Sequence, residues 1–292
     1  MTTMSVSLAW YGVSTFRLQV DDTVVFLDAY VDRVPDAPPV GLSAAQIERA
    51  DAVLVGHAHF DHLAGAETIA RNTGARVIGS YEAIRLVSDA GVPAAQLTPV
   101  AGGEPLELAP DVRVRVFPGL HSCIWSSSGP NADDAAAGDL GVSHEQRLER
   151  LAEPRGALPP GLHSDRGDGG ALGYLIETRH GSIWWSDTSG YWSGVLRALQ
   201  PEVAILAAAG RGNVDGEPVQ GSLAGFLSDQ IGLLRPRRVV FCHHDDWYPA
   251  MTRGGLDIGP VVRRLRTDHG ARLDVATLGY DEPRPILDAL PS

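Results

Sequence analysis

The chain has 292 residues, 44% hydrophobic and 21% charged, ordinary values for a globular protein, which exclude wholesale disorder. Its 24 Lys+Arg against 36 Asp+Glu give a net charge of −12. There is no Lys, so every fixed cation is an Arg, and the balance argues against a nucleic-acid backbone or an anionic membrane surface as main partner. No run of about 18 apolar residues occurs, so no membrane span is expected. MTTMSVSLAWYG lacks the basic-then-apolar pattern of an export signal, and Cys123 and Cys242 cannot form a disulfide framework. The expectation is one cytoplasmic domain over residues 1–292.

In chain order, SLAWYG, STFRLQV and TVVFLDAY read as strands, with a hairpin at Asp21-Asp22. DAVLVGHAH is an apolar strand running into polar residues. LAGAETIARNTGA has helical spacing and a Gly stop, ARVIGS is a short strand, and YEAIRLVSDAG is a helix ending at Gly91. QLTPV, PLELA and VRVRVFPG follow as strands. Val112, Val114 and Val116 alternate with Arg113 and Arg115, the mark of a strand wet on one face. Residues 122 to about 170 are rich in Ser, Gly, Asp, Ala and Pro. They contain one amphipathic piece, SHEQRLERLAE, capped by Ser143 and Gln146. The stretch is too long for an ordinary connection and reads as an insertion, or lid, over a site. ALGYLIET and SIWWSDTSG then form a hairpin at His180-Gly181. A helix from about Trp192, the strand EVAILAAAG, the helix SLAGFLSDQIGLLRP, the strand RRVVFCHHDDW and the helix GPVVRRLRTDHG lead to RLDVATL, read as the last strand. Two strand-rich halves, each followed by helices, predict an α/β layered sandwich with helices on its outer faces.

The strongest chemical signal is His57-Ala58-His59-Phe60-Asp61-His62, three imidazoles and a carboxylate directly after an apolar strand. Imidazole and carboxylate together suit zinc. Residues two apart in extended chain point the same way, so His57 and His59 can reach one ion, and after a turn Asp61 and His62 can face a second. Further ligands are expected where strands give out. His121 follows VRVRVFPGL, Asp187 follows SIWWS, and His243 follows RRVVFC.

HAHFDH followed by His121, Asp187 and His243 in that order resembles the metallo-β-lactamase fold superfamily of metal-dependent hydrolases. The resemblance runs from about Ser7 to Leu278 and implies a four-layer αββα sandwich with two divalent metals at one edge of its sheets. By that resemblance, His57, His59 and His121 hold one metal, while Asp61, His62 and His243 hold the other. Asp187 bridges them, and a hydroxide shared between the ions attacks a small ester, lactone or phosphodiester. Zinc is preferred and manganese is the alternative. WYGVSTFRLQVDDTVVFLDAY is similar to the opening of the branch containing L-ascorbate-6-phosphate lactonase and N-acyl-phosphatidylethanolamine phospholipase D. Val13 and Ala29 depart from that branch's His and Pro, which weakens any transfer of substrate. Asp28 is expected to orient a ligand His. HHDDW favours His243 over His244 as the ligand.

Asp61 is also expected to orient the nucleophile, and His244, with Asp245 and Asp246, to deliver a proton to the leaving group. His144, His163 and Arg166 are candidates for substrate contact from the insertion. Trp125, Trp192 and Trp247 are candidates for an apolar wall or for core packing. Cys242 reads as a buried structural thiol, and Cys123, two residues after His121, is a candidate to approach a metal. GRGN at 210–213 lacks the Lys-Ser/Thr ending of a phosphate loop. The expected substrate is a small or lipid-like molecule. Four other readings share the scaffold. They are an RNA-processing nuclease, disfavoured by the charge; an iron-dependent oxidoreductase, disfavoured by His59 where binuclear iron members usually carry Glu; a binding protein; and an antibiotic β-lactamase. Nothing in the sequence indicates an oligomeric state.

Overall fold

The structure is a computed structural model that describes residues 6–123, 162–219, 221–252 and 254–287. The piece SHEQRLERLAE, Trp125 and His144 lie outside the described residues.

The apolar runs pair into two seven-stranded sheets. The first runs Arg284–Leu287, Val6–Trp10, Phe16–Val20, Thr23–Leu27, Ala52–Leu54, Arg76–Gly79, Leu97–Pro99 across its width. The second runs Asp274–Ala276, Arg238–Cys242, Val203–Ala207, Gly181–Ser186, Leu172–Thr178, Val112–Pro118, Pro105–Ala109. Each sheet is antiparallel on one side and parallel on the other.

Side-chain alternation builds the layers. Along Thr23–Leu27, Val25 and Leu27 face the second sheet while Val24 and Phe26 face helices. Both faces of the inner strands are covered, so these strands read as continuous apolar runs rather than alternating ones. Between the sheets lie Leu18, Leu54, Ile78, Val114, Tyr174, Trp185, Ile205 and Val240. On the outer face of the first sheet, the helices Ala66–Thr73 and Tyr81–Asp89 contribute Ile69, Ala70, Ala83, Ile84 and Val87. On the outer face of the second, the helices Ser193–Arg197, Leu223–Leu234 and Gly259–His269 contribute Leu196, Phe226, Leu227, Ile231, Val261 and Leu265. Three apolar interfaces separate four layers, the αββα sandwich expected from the sequence. Ser80 and Ser222 begin two of these helices by accepting hydrogen bonds from the Ala83 and Gly225 N–H groups.

Among the described residues, a small sheet of Gly190–Tyr191, Asn213–Val214 and Glu217–Pro218 was not foreseen, nor was one strand of the first large sheet. RLDVATL is not the last, because Arg284–Leu287 returns to pair antiparallel with Val6–Trp10. Pro283 and Pro285 make this segment look like a loop. It lies at the edge of the sheet, where a missing N–H is tolerated. Among the described residues, no helix is long and apolar enough to cross a membrane.

The topology fixes where chemistry gathers. Thr23–Leu27, Ala52–Leu54, Val112–Pro118, Gly181–Ser186 and Arg238–Cys242 all point their C-terminal ends to one edge of the sandwich. Asp28, the 57–62 motif, His121, Asp187 and His243 follow these strands in turn.

Candidate metal centre

The 57–62 motif is half extended and half helical. His59 is in β conformation and caps the one-turn helix Phe60–Leu63. His57 and His59 therefore project together, with His57 Nε2 2.9 Å from His59 Nδ1. The helical turn swings Asp61 and His62 to the other side, where His62 Nε2 lies 3.3 Å from Asp61 Oδ2. The second sheet completes both groups. The His121 ring sits 4.7 Å from that of His57 and 4.8 Å from that of His59, and His243 Nε2 lies 3.4 Å from Asp61 Oδ2.

Three groups of potential ligand atoms result, each within 4.8 Å: His57, His59 and His121; Asp61, His62 and His243; and His57, His62 and Asp187. Donors on a tetrahedral zinc at about 2.0–2.1 Å stand ~3.3 Å apart, which is the spacing found around Asp61 Oδ2. Asp187 lies between the other two groups, with Oδ2 2.5 Å from His57 Nδ1 and 3.3 Å from His62 Nδ1. Its Oδ1 is buried with no hydrogen-bond partner among the described residues. A buried carboxylate oxygen left unpaired is costly unless a cation faces it, so the donor set fits divalent metal.

Electrostatics agree with that reading. Burial pushes the His57 imidazole well below its ordinary value, and His62, His59 and His121 add to the effect. Burial and His59 bring His121 down to about 4. Both rings are thus neutral near pH 7, the form that binds metal. Burial would raise the Asp61 carboxyl, but His62 and His243 outweigh it and hold the group well below its usual range. Burial drives Asp187 well above its usual range, and nearby Asp28 and Asp61 reinforce it. For His62, burial opposes protonation, but Asp61, Asp28 and Asp187 together raise it well above normal. That crowd of carboxylates is one a metal cation would neutralise.

The supporting contacts orient the ligands. Asp28 Oδ2 lies 2.6 Å from His62 Nδ1, leaving Nε2 for the centre. Asp28 also accepts the Ser14 hydroxyl and, at 2.8 Å, the Gly56 N–H. The His121 Nδ1 is 2.8 Å from the Ser122 carbonyl, a contact that fixes its tautomer and leaves Nε2 for the centre. Gly56 is demanded sterically. A Cβ there would stand 2.0 Å from Asp187 Oδ2, so only glycine lets the second sheet's carboxylate approach the motif.

Other expected residues fall elsewhere. His244 joins none of the three groups among the described residues. Its ring stacks on Trp10, with centroids 4.9 Å apart. Asp245 pairs with Arg33, and Asp246 accepts from Thr252. Arg166 is 66% exposed and lies 3.7 Å from Glu82. Trp247 is buried with Val13, Tyr30 and Phe60 beside His243, while Trp192 is partly exposed. Cys242 is buried between the sheets, and burial raises its thiol well above its usual value. Cys123 is buried and joins none of the groups. Ser14 and Gly56 escaped sequence reasoning, although Gly56 stands directly before the motif.

A family model described as "Beta-lactamase superfamily domain" matches residues 23–244, well over half of the chain. A metal-dependent hydrolase of Pyrobaculum calidifontis is 34% identical over 116 residues, 39% of this chain and 50% of that protein. One of Pyrobaculum neutrophilum is 30% identical over 147 residues, 48% of this chain and 64% of that protein. The chain thus spans between half and two-thirds of the length of these curated relatives. Among solved structures, Igni18, a metallo hydrolase of Ignicoccus hospitalis, superposes with a TM-score of 0.62 at 18% identity, over 96% of this chain and 97% of that one. That likeness speaks for the fold, and the family match speaks for descent. With its αββα layers and its histidine-rich edge, the chain belongs to the β-lactamase superfamily and has the metallo-β-lactamase fold.

Proposed function

We propose that this chain is a hydrolase working with two divalent metal ions, most readily zinc, on a small ester, lactone or phosphodiester. The observation that carries this is the pair of three-donor groups, His57, His59, His121 and Asp61, His62, His243, with Asp187 between them and its buried Oδ1 without a partner among the described residues. Metal held there supplies a water-derived nucleophile at neutral pH and a Lewis acid for the substrate oxygen.

The chain's own residues divide the remaining work. Asp28 and Ser14 hold the His62 tautomer. Asp61, kept ionised by His62 and His243, can accept a hydrogen bond from the attacking water and orient it. His57, Asp61, His62 and Asp187 are buried, whereas His59, His121 and His243 are only partly so. Substrate therefore approaches from the side of these three rings. The net charge of −12 accords with a small molecule rather than a nucleic-acid chain.

The test is metal titration of stripped protein, followed by turnover of an activated phosphodiester beside a simple lactone. Two equivalents bound and metal-restored turnover of either substrate are expected, both impaired in His59→Ala. Full turnover by His59→Ala at matched metal loading would overturn the assignment. A phosphodiester preference or a lactone preference then fixes the substrate class.

A further inference from the structure

His243 leaves its strand in an unusual way. Its φ is 63°, in the left-handed region that non-glycine residues seldom occupy, and its N–H donates to the Val13 carbonyl at 2.6 Å. Val13 is itself left-handed, with φ 48°, a greater anomaly for a β-branched residue. Two adjoining strained residues persist only where their surroundings over-determine them.

The surroundings here trace to one side chain. Asp245, two residues beyond His243, reaches back so that Oδ1 accepts the Val13 N–H at 2.9 Å. Its Oδ2 accepts the Tyr280 hydroxyl at 2.8 Å and the Arg33 guanidinium. The Trp10 indole N–H donates to the Val13 carbonyl from the other side at 3.1 Å. The loop is closed: His243 hangs on Val13, Val13 hangs on Asp245, and Asp245 is covalently tied to His243. The Arg33 and Asp245 side chains are only 3% and 6% exposed. A Cβ on Gly12 would meet Arg33 Nη2 at 2.4 Å and Asp245 Oδ2 at 2.7 Å, so the pair packs directly against the turn. A buried ion pair is weak evidence for stability, because desolvation offsets most of its attraction. Its value lies in what it orients.

We propose that Asp245, anchored by Arg33 and Tyr280, is the positioning residue for the second half of the metal centre, holding the Val13 turn that aims His243 Nε2 at Asp61. This rests on the reading of His243 as a metal ligand. It predicts selectivity, since nothing in the network touches His57, His59 or His121.

The experiment is equilibrium zinc binding by competition with a chromophoric chelator, on full-length wild type, Asp245→Asn, Tyr280→Phe and His243→Ala. Asp245→Asn should weaken the equivalent that His243→Ala removes by about 10- to 100-fold and leave the other unchanged, as the loss of a partner that orients a ligand does. Tyr280→Phe keeps the charge pair and should weaken the same equivalent a few-fold. Unchanged binding of both equivalents in Asp245→Asn overturns the proposal, and so does an equal fall in both, which marks a merely structural role. If Asp245→Asn does not fold, Tyr280→Phe decides: a selective loss supports the proposal and no loss overturns it. If wild type binds no second equivalent, or His243→Ala does not alter it, the two-metal reading falls and takes this proposal with it.

Discussion

The two sheets supply the centre in opposite ways. The first contributes His57, His59, Asp61 and His62 from six consecutive residues on one loop and one helical turn. The second contributes His121, Asp187 and His243 from three separate strand ends spread over more than a hundred residues. The first cluster has its geometry built into local backbone, an extended pair followed by a turn. The second has none until strands Val112–Pro118, Gly181–Ser186 and Arg238–Cys242 are registered in one sheet. Local ligands make a centre recognisable, and distant ligands make it depend on the fold.

Substitutions on the two sides should separate these contributions. The largest effect is expected from His59→Ala, which removes a donor from the local cluster. Turnover should fall by about 10³-fold, several kcal/mol of transition-state stabilisation, with one metal equivalent lost by elemental analysis. Retained metal would mean that His57, His121 and Asp187 hold it without His59. Gly56→Ala strikes where the sheets meet, since its Cβ would stand 2.0 Å from Asp187 Oδ2. Displacing Asp187 should cost about 1–3 kcal/mol in stability and roughly 100-fold in metal affinity, read by thermal unfolding and chelator competition. Wild-type affinity here would show that Asp187 is dispensable.

Asp28→Asn acts through one first-sheet ligand, His62. It removes the charge 2.6 Å from His62 Nδ1, and a 10- to 100-fold weakening of the equivalent that His62 serves is expected, with the His57, His59 and His121 group spared. Equal weakening of both equivalents would show that the two groups are not separable.

The smallest effect concerns the segment 162–171, which lies against the motif through the Ala58 N–H to Asp168 carbonyl and Ser164 N–H to Ala58 carbonyl bonds, 2.8 and 2.9 Å. Glu82 anchors this segment through the Ser164 hydroxyl, and its carboxyl is lowered from 4.5 to about 2, chiefly by its hydrogen bonds with Arg85. A depressed carboxyl contributes above its unfolded value and loses that contribution as pH falls through the folded one. Amide exchange at Arg166, corrected for its intrinsic rate, should therefore quicken between about pH 4.5 and 2 in wild type, with no such step in Glu82→Gln. An identical profile in the variant would remove Glu82 from the anchoring.

The fold was largely legible because its signals are local. Val112, Val114 and Val116 announce their sheet face, Gly91 announces a helix end, and the apolar runs announce strands covered on both sides. Arg284–Leu287 was missed because its prolines are compatible with a strand only at an edge, and which strand is the edge is a property of the whole sheet. At the candidate site, HAHFDH stood out by density, and His121, Asp187 and His243 by their places at strand ends. The demand on Gly56 could not be read, because it depends on a carboxylate 131 positions away approaching within a Cβ's reach. The grip of Asp245 on Val13, 232 positions apart, was hidden for the same reason.

The pairing of Arg284–Leu287 with Val6–Trp10 has a temporal side. A chain emerging from the ribosome at about 5–20 residues per second makes Val6–Trp10 well before its edge partner Arg284–Leu287. Throughout synthesis that early strand has an open edge, a template for wrong pairing until its proper neighbour arrives. Val6 pairs with Leu287, so the first sheet is finished only after the whole second sheet has been made. Loop-closure entropy on that scale slows the completion of the first sheet, even though the most conspicuous motif is complete by residue 62.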